Sequence, residues 1–204
     1  MAGRPREFDT QQALTQAMLL FWEHGYEGTS MSALVSTLGI ASARLYAAFG
    51  SKQQLFEAAV ALYEAGEGGF ADRALGQADI GAAMGQMLTA AVNTYTHEGR
   101  PRGCLVVSAA PGVSPENIGV LTWLAGHRRE RTRQVVERLQ AAKDQGQLRP
   151  DVNVQALGDF YATFLHGISV QARDGVPRAQ LLQAVDHALT VLSAAAQPGG
   201  ERLQ

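Results

Sequence analysis

Residues 29–52 read TSMSALVSTLGIASARLYAAFGSK, a pattern that predicts two short helices separated by a tight turn. Leu34 and Leu38 lie four residues apart and give the first helix an apolar edge. Gly39 then supplies the backbone freedom that ends this helix and starts the turn. Residues 43–49 carry the same apolar spacing and form the second helix. The stretch therefore predicts a helix-turn-helix.

The second helix presents a slim polar face opposite its apolar edge. This face consists of Ser42, which can also cap the helix, and of Ala43, Arg44, Tyr46 and Ala47. Small residues with one arginine and one tyrosine fit a DNA major groove. Arg44 can donate two parallel hydrogen bonds to guanine, although a phosphate contact or a surface salt bridge is an alternative. We therefore predict that this face binds double-stranded operator DNA, with Tyr46 on a phosphate.

Further groups that suit phosphates flank the same face. Thr29 and Ser30 combine hydroxyls with a helix N-terminus, whose free N–H groups favour an anion, and simple capping is their alternative role. Lys52 is a point charge at the start of the following helix. Arg4 and Arg6 form a short basic arm that could enter a minor groove or remain a solvated terminus.

The charge balance predicts little non-specific electrostatic attraction to DNA. The 204 residues include 17 Lys and Arg against 19 Asp and Glu, a formal net charge of −2. DNA affinity must then come from the placement of a few cations, which predicts a dependence on dimerisation. The chain has one cysteine, no apolar run of membrane-spanning length and no signal-peptide core, so we expect a cytoplasmic protein without a disulfide.

Three motifs follow one another between residues 14 and 55. The first helix ends FWEHGYEGTS, the next ends LGI, and the third motif reads LYAAFGSKQQLF. Together they resemble the DNA-binding head of the TetR family of transcriptional regulators. Many members of that family carry a histidine where this chain has Ala48, so more of the recognition would fall to Arg44 and Tyr46.

The resemblance implies an all-α protein with two domains. A helix-turn-helix domain would occupy residues 1–55, and a helical ligand-binding and dimerisation domain would occupy residues 56–204. Two long amphipathic helices near the C-terminus predict an αα-hairpin, and two such hairpins can pair into a four-helix bundle. The resemblance places a homodimer interface there, with candidate residues Phe160, Leu165, Leu181, Val185, Leu189 and Leu192.

Between the two domains the sequence is dense in glycine. Five glycines fall within residues 66–81. Because glycine is entropically costly inside helices, residues 65–79 are predicted to form a mobile joint.

The resemblance also implies an inducer pocket between the helices of the body. Its candidate wall is rich in aromatic and sulfur-containing side chains, which suit a hydrophobic or flat small molecule but could equally form ordinary core. These residues are Met84, Met87, Leu88, Tyr95, Cys104, Trp123, His127, Tyr161 and Phe164. Arg100 and Arg102 could favour the thiolate of Cys104 and make it a redox sensor, the alternative being a buried, inert cysteine.

No catalytic constellation, cofactor motif or metal-ligand spacing is found in the sequence. The charged run HRRERTR at residues 127–133 is interpreted as a solvated helix face rather than a second nucleic-acid patch. We therefore expect a homodimeric repressor, not an enzyme, that leaves its operator when a small-molecule inducer binds. A helical small-molecule carrier or enzyme and a thiol-based redox sensor are the alternatives.

Overall fold

The fold was obtained as a computed structural model that describes residues 9–197. This part of the chain forms ten α-helices and no β-strand, which confirms the all-α prediction. The helices are α1 (Thr10–Gly28), α2 (Met31–Leu38), α3 (Ser42–Phe49), α4 (Lys52–Ala65), α5 (Phe70–Leu75), α6 (Ile80–Tyr95), α7 (Leu105–Ser108), α8 (Ile118–Asp144), α9 (Val154–Arg173) and α10 (Arg178–Ala195). Two 3-10 turns, Glu67–Gly69 and Pro115–Asn117, precede α5 and α8.

Side-chain caps set the boundaries of the head helices. Asp9, Ser30 and Ser51 each accept a hydrogen bond from the backbone N–H three residues later, at 2.9, 3.0 and 3.1 Å. Each bond satisfies an N–H that a helix start would otherwise leave unpaired. Gly39 ends α2 in the left-handed region at φ 62°, as its position predicts. The prediction that Ser42 caps α3 is wrong, because the cap position is Ala41, which makes no side-chain bond.

Helix α1 is broken near its C-terminal end by Gly25, where φ is 73° and ψ is 178°. A residue with a Cβ adopts this conformation only at a cost, so glycine permits the break. The carbonyl of Gly25 accepts a 2.8 Å hydrogen bond from the hydroxyl of Thr29. The break redirects the chain toward α2 and fixes how α1 meets the helix-turn-helix.

An aromatic cluster joins the head to the body. Phe56 of α4 packs edge-on against Phe21 and Tyr26 of α1, with ring centroids 5.0 and 5.1 Å apart. The same ring lies 6.1 Å from Trp123 of α8. One hydrophobic core therefore runs through both parts, and the boundary predicted after residue 55 falls inside α4.

The glycine-dense segment forms a packed 3-10 turn followed by α5, in place of the predicted mobile joint. Phe70, Ala71 and Ala74 of α5 are all buried. A Cβ on Gly68 would lie 2.4 Å from Cε1 of Tyr63, closer than any side chain tolerates. Glycine is needed here for close approach rather than for mobility.

The body is a bundle in which α8 and α10 pack against α6 and α9. Helices α9 and α10 form the predicted hairpin, which turns at Gly175, where φ is 90°. No single helix among residues 9–197 is both long and apolar enough to cross a membrane. Within the same range, only α2 and α3 taken as a pair, bent by 99°, pass that test of length and composition.

Candidate DNA-binding face and ligand cavity

Helix α3 projects from the head with its polar side outward. Leu45 faces the core and is 1% exposed, whereas Tyr46 is 47% exposed. The predicted contact residues Ser42, Ala43, Arg44, Tyr46 and Ala47 are all exposed and follow one another on this surface. The structure thus brings five predicted residues together on one free face, which we call the α3 face.

Thr29 and Ser30 have opposite environments. Ser30 is exposed, and its hydroxyl caps α2 and lies 2.8 Å from the hydroxyl of Ser32. Thr29 is fully buried, and its hydroxyl donates to the carbonyls of Gly25 and Leu20 at 2.8 and 3.3 Å. The prediction that Thr29 contacts DNA is therefore corrected, because its side chain has no accessible surface and its donor is already used.

Lys52 lies at the edge of the head, partly buried. Its Nζ is 4.3 Å from the centroid of the Tyr26 ring, within the range of a cation–π contact. Burial lowers the pKa of Lys52, and the charge of Glu27 opposes that change. The ammonium is thus oriented by the head before any phosphate is present. The predicted contacts Arg4 and Arg6 lie outside the described residues.

The body contains a cavity of about 50 Å³. Helices α4 to α9 and the 3-10 turn before α5 all contribute to its wall. Three of the predicted pocket residues, Tyr95, Cys104 and His127, line it. The other wall residues are Tyr63, Glu64, Gly68, Phe70, Val106, Val107, Arg128, Arg131, Leu165 and His166.

The wall combines hydroxyl, imidazole and carboxylate groups. The hydroxyl of Tyr63 is buried and has no hydrogen-bond partner within residues 9–197. Burial raises the pKa of both Tyr63 and Tyr95 well above the ordinary value, and the adjacent Cys104 adds to both shifts. The Nδ1 of His127 lies 3.0 Å from both carboxylate oxygens of Glu64. The cavity can therefore donate hydrogen bonds to a small acceptor.

Six predicted pocket residues lie elsewhere. Four of them, Met84, Met87, Leu88 and Tyr161, are at most 1% exposed and belong to the packed core. Of these, Tyr161 donates to the carbonyl of Ala188 at 3.0 Å. Trp123 packs on His127, with ring centroids 4.2 Å apart, and does not line the cavity. Phe164 lies in a groove on the outside of the α9–α10 hairpin. Helical spacing predicts that a side chain points inward, but not whether it meets a cavity or another side chain.

The cationic side chain beside Cys104 is neither of the two predicted arginines, Arg100 and Arg102. Arg100 forms an ion pair with Glu67 at 2.7 Å, and Arg102 donates to the carbonyl of Ala172 at 3.3 Å. Arg128 shares the cavity wall with Cys104, and burial lowers the pKa of this guanidinium. Sequence reasoning missed Arg128 because it belongs to the charged run that was assigned to solvent. That assignment is right for Arg133, which pairs with Glu130 and Glu137 on the surface.

The predicted dimer residues divide into two groups. Leu165, Leu181, Val185 and Leu192 are 2–4% exposed within their own chain and have almost no surface left for a partner. Leu189 is partly exposed, and Phe160 is 39% exposed. One free apolar surface of the hairpin is a shallow groove, here called the hairpin groove, lined by Phe160, Phe164, Gln183, Ala184, His187, Ala188 and Val191. The interface prediction is corrected for Leu165, Leu181, Val185 and Leu192, because these four side chains lie on the inner faces of α9 and α10.

Comparison with known proteins agrees with this architecture. Residues 13–59 match the family model described as bacterial regulatory proteins, tetR family, and residues 82–195 match the tetracyclin repressor-like C-terminal domain. The HTH-type transcriptional repressor ComR of Escherichia coli (strain K12) is 31% identical over 186 residues, which is 89% of this chain and 87% of that protein. The HTH-type transcriptional repressor BdcR of the same strain is 29% identical over 99% of this chain and 92% of its own.

A solved structure is also similar over most of its length. It is a cysteine mutant of the TetR family transcriptional regulator CifR, complexed with 26-base-pair double-strand operator DNA. Its sequence is 42% identical, the TM-score is 0.87, and the match covers 92% of this chain and 98% of that one. Both the head and the body are thus matched, and the chain belongs to the TetR family as a DNA-binding transcriptional regulator.

Proposed function

We propose that the chain is a homodimeric repressor that holds operator DNA through the α3 face and releases it when a small molecule occupies the cavity. The observation that carries this proposal is the exposure of Arg44 and Tyr46 on a short helix whose opposite side is fixed by Leu45. The operator complex of the CifR mutant supports it by similarity. Such a repressor would act in the cytoplasm, where the bacterial chromosome lies.

Recognition would divide between one base-reading cation and several positioning groups. Arg44 would donate to the O6 and N7 atoms of guanine, and Ala43 and Ala47 would let the helix approach the base edges closely. Tyr46, Ser30, Ser42 and Lys52 would contact phosphates, which fixes register without reading sequence. With few cations on each head, two heads acting together would be needed for a useful affinity.

The second head would come from a partner chain docked on the hairpin groove. Phe160 and Val191 are 39% and 40% exposed on this surface, an unusual position for large apolar side chains. Pairing the two hairpins about a two-fold axis would bury them in a four-helix bundle. The two α3 faces would then lie about one turn of DNA, or a multiple of it, apart.

Release would follow from the position of α4, which belongs to both parts of the molecule. The helix begins with Lys52 in the head and reaches the cavity wall with Tyr63 and Glu64, about 18 Å away at ~1.5 Å per residue. A molecule that binds better to one tilt of α4 would favour the dimer whose heads are wrongly spaced. The strength of the response would equal the difference in affinity for the two states.

The test compares Arg44→Ala with a matched control, Arg133→Ala, whose guanidinium is paired on the surface of α8. Binding is measured by fluorescence anisotropy on DNA from upstream of the coding region and on a scrambled duplex. Arg44→Ala should lose about 1–3 kcal/mol, or roughly 5- to 150-fold in Kd, on the upstream DNA only. The control should bind as the wild type does. Equal binding by Arg44→Ala and the wild type would overturn the assignment of the α3 face.

A second candidate, a thiol-based sensor, is favoured by the position of Cys104. Its side chain lines the cavity together with Tyr63, Tyr95 and Arg128. A thiol-reactive molecule in the cavity would therefore form its bond inside the proposed inducer site. Cys104→Ser separates the two candidates, because it preserves the size of the side chain while removing the nucleophile. A reversible inducer should still release the variant from DNA, whereas a thiol-reactive one should not.

A further inference from the structure

We propose that Trp22 couples the cavity to the DNA-binding head, so that its indole N–H determines how strongly an occupied cavity weakens operator binding. This inference rests on the proposed regulatory role of the cavity. It assigns the coupling to α1, in addition to the continuous helix α4.

The indole makes a direct bond to the segment that carries Cys104. Trp22 is fully buried in α1, and its Nε1 donates to the carbonyl of Gly103 at 2.9 Å. Gly103 immediately precedes Cys104, which lines the cavity. Any displacement of Cys104 therefore reaches the acceptor of the indole within one peptide unit.

This segment has little freedom to absorb a displacement by itself. Gly103 has φ 80°, and a Cβ at this position would lie 2.8 Å from the carbonyl oxygen of Ser169. The N–H of Cys104 donates to the hydroxyl of the same Ser169 at 2.8 Å. The close approach of Gly103 and the N–H bond of Cys104 both hold this segment on α9. The carbonyl of Gly103 must therefore move when Cys104 moves.

A second contact joins the indole to another cavity residue. The rings of Trp22 and Tyr63 pack edge to face, with centroids 4.8 Å apart. The Tyr63 hydroxyl at the far end of that ring is buried and unpartnered among the described residues. A molecule that accepts a hydrogen bond from this hydroxyl would reposition the ring, because an unpaired buried donor gains free energy from a partner. Trp22 thus contacts one wall residue, Tyr63, and the residue that precedes another, Cys104.

The backbone of Trp22 is held by the body as well. Arg173, at the end of α9, donates to the carbonyls of Trp22 and Glu23 at 3.2 and 2.5 Å. These bonds lie just before the break at Gly25, beyond which the chain enters the helix-turn-helix. A shift of the indole therefore displaces α1 just before the chain enters the helix-turn-helix.

The experiment uses Trp22→Phe, which removes the N–H donor and keeps an aromatic ring. Trp123→Phe is the matched control, since it makes the same chemical change at the other tryptophan of the chain. The cavity is filled in two ways. Iodoacetamide alkylates Cys104: a C–S bond forms, the C–I bond breaks, iodide leaves and the thiol proton passes to buffer. Independently, Cys104→Met places extra atoms in the cavity without any reaction.

Operator Kd is measured for each full-length variant with the cavity unmodified and filled, and mass spectrometry verifies alkylation. In the wild type and Trp123→Phe, filling should raise Kd about tenfold or more, within the usual range of coupling between sites. Trp22→Phe should bind operator about as the wild type does when unmodified, with filling changing its Kd less than about threefold. Ser169→Ala, which frees the Cys104 segment from α9, should also reduce the change in operator Kd on filling. This variant replaces Trp22→Phe as the test if Trp22→Phe is too unstable to assay.

Two outcomes would overturn the inference, and they are distinguishable. If the wild type, Trp22→Phe and Ser169→Ala all respond equally, the cavity regulates DNA binding without Trp22, and only the coupling assignment fails. If neither alkylation nor Cys104→Met changes the operator Kd of the wild type, the cavity does not control the head. The proposed regulatory role then fails together with the inference.

Discussion

At the scale of single residues, the pair Thr29 and Ser30 shows why chemistry alone does not assign a role. Both are hydroxyl residues at the start of α2, and both suit a phosphate or a cap. The structure separates them by burial: Ser30 is exposed, whereas Thr29 points inward against the break in α1. Which neighbour faces outward depends on the path of the chain after Gly25.

The buried hydroxyl of Thr29 should therefore affect stability rather than DNA binding. Thr29→Val preserves shape but leaves the carbonyl of Gly25 without its donor, at a cost of about 1–3 kcal/mol in the free energy of unfolding. Urea denaturation would measure that loss, and operator Kd well below the melting temperature should remain unchanged. A Thr29→Val protein with normal stability and weakened operator binding would contradict the buried role.

Glu27 gives a prediction in pH. One of its carboxylate oxygens accepts from the N–H of Ser114 and from the Asn117 side chain, both at 2.8 Å. These bonds lower the pKa of Glu27 from its ordinary 4.5. A depressed folded-state pKa stabilises the fold above the unfolded-state value, and that contribution disappears as pH falls through the folded-state value.

Glu27→Gln should consequently reduce the free energy of unfolding at pH 7, and the difference from the wild type should shrink below about pH 4.5. Urea unfolding across this pH range measures the difference. Glu116→Gln, which changes an exposed carboxylate in the 3-10 turn Pro115–Asn117, is the control and should leave the free energy of unfolding nearly unchanged. A difference that stayed constant down to pH 3 would mean that the charge of Glu27 is not involved.

At the scale of helices, amphipathic spacing predicts an element where one side is packed and the other solvated. That condition holds for α1, α2, α9 and α10, and the sequence predicted all four. It does not hold for the 3-10 turn before α5, where glycines stand in place of side chains that would reveal a pattern, and Gly68 packs closely on Tyr63 instead. Nor can spacing distinguish the cavity wall from solid core, since Tyr95 and Met84 both face inward on α6.

Two glycines provide a matched test of this packing. Gly68→Ala would force a Cβ to within 2.4 Å of the Tyr63 ring, and we expect a loss of about 1–3 kcal/mol in stability. Gly119→Ala, in α8, meets nothing within 4 Å and should gain about 0.5–1 kcal/mol from its helix propensity. Thermal denaturation of both variants measures the contrast. Equal stabilities would show that the segment before α5 is loosely packed.

At the scale of the whole molecule, the α9–α10 hairpin has an inner and an outer apolar side. The inner side, including Leu165 and Leu181, completes the core of the chain's own body. The outer side leaves Phe160 and Val191 at the surface. The sequence predicted that the hairpin would pair with that of a second chain. The residues chosen for the interface were mainly inner ones, because two apolar sides of one helix form a single broad apolar stripe in the sequence.

The two sides should respond differently to substitution. Phe160→Glu should yield a monomer by light scattering with nearly normal thermal stability, and operator affinity should fall because only one head would bind at a time. Leu165→Ala should instead destabilise the chain by about 2–5 kcal/mol through a core cavity. If Phe160→Glu remained dimeric, the partner would dock on a different surface.

The free volume of the body limits how tightly any signal molecule can be held. A cavity of about 50 Å³ admits roughly four non-hydrogen atoms, if each occupies the room of one water. The best small ligands gain at most about 1.5 kcal/mol per atom, which corresponds here to a Kd on the order of 10⁻⁵ to 10⁻⁴ M. A reversible inducer would thus be sensed only when abundant, and trace detection would require either a wider cavity or a covalent bond to Cys104.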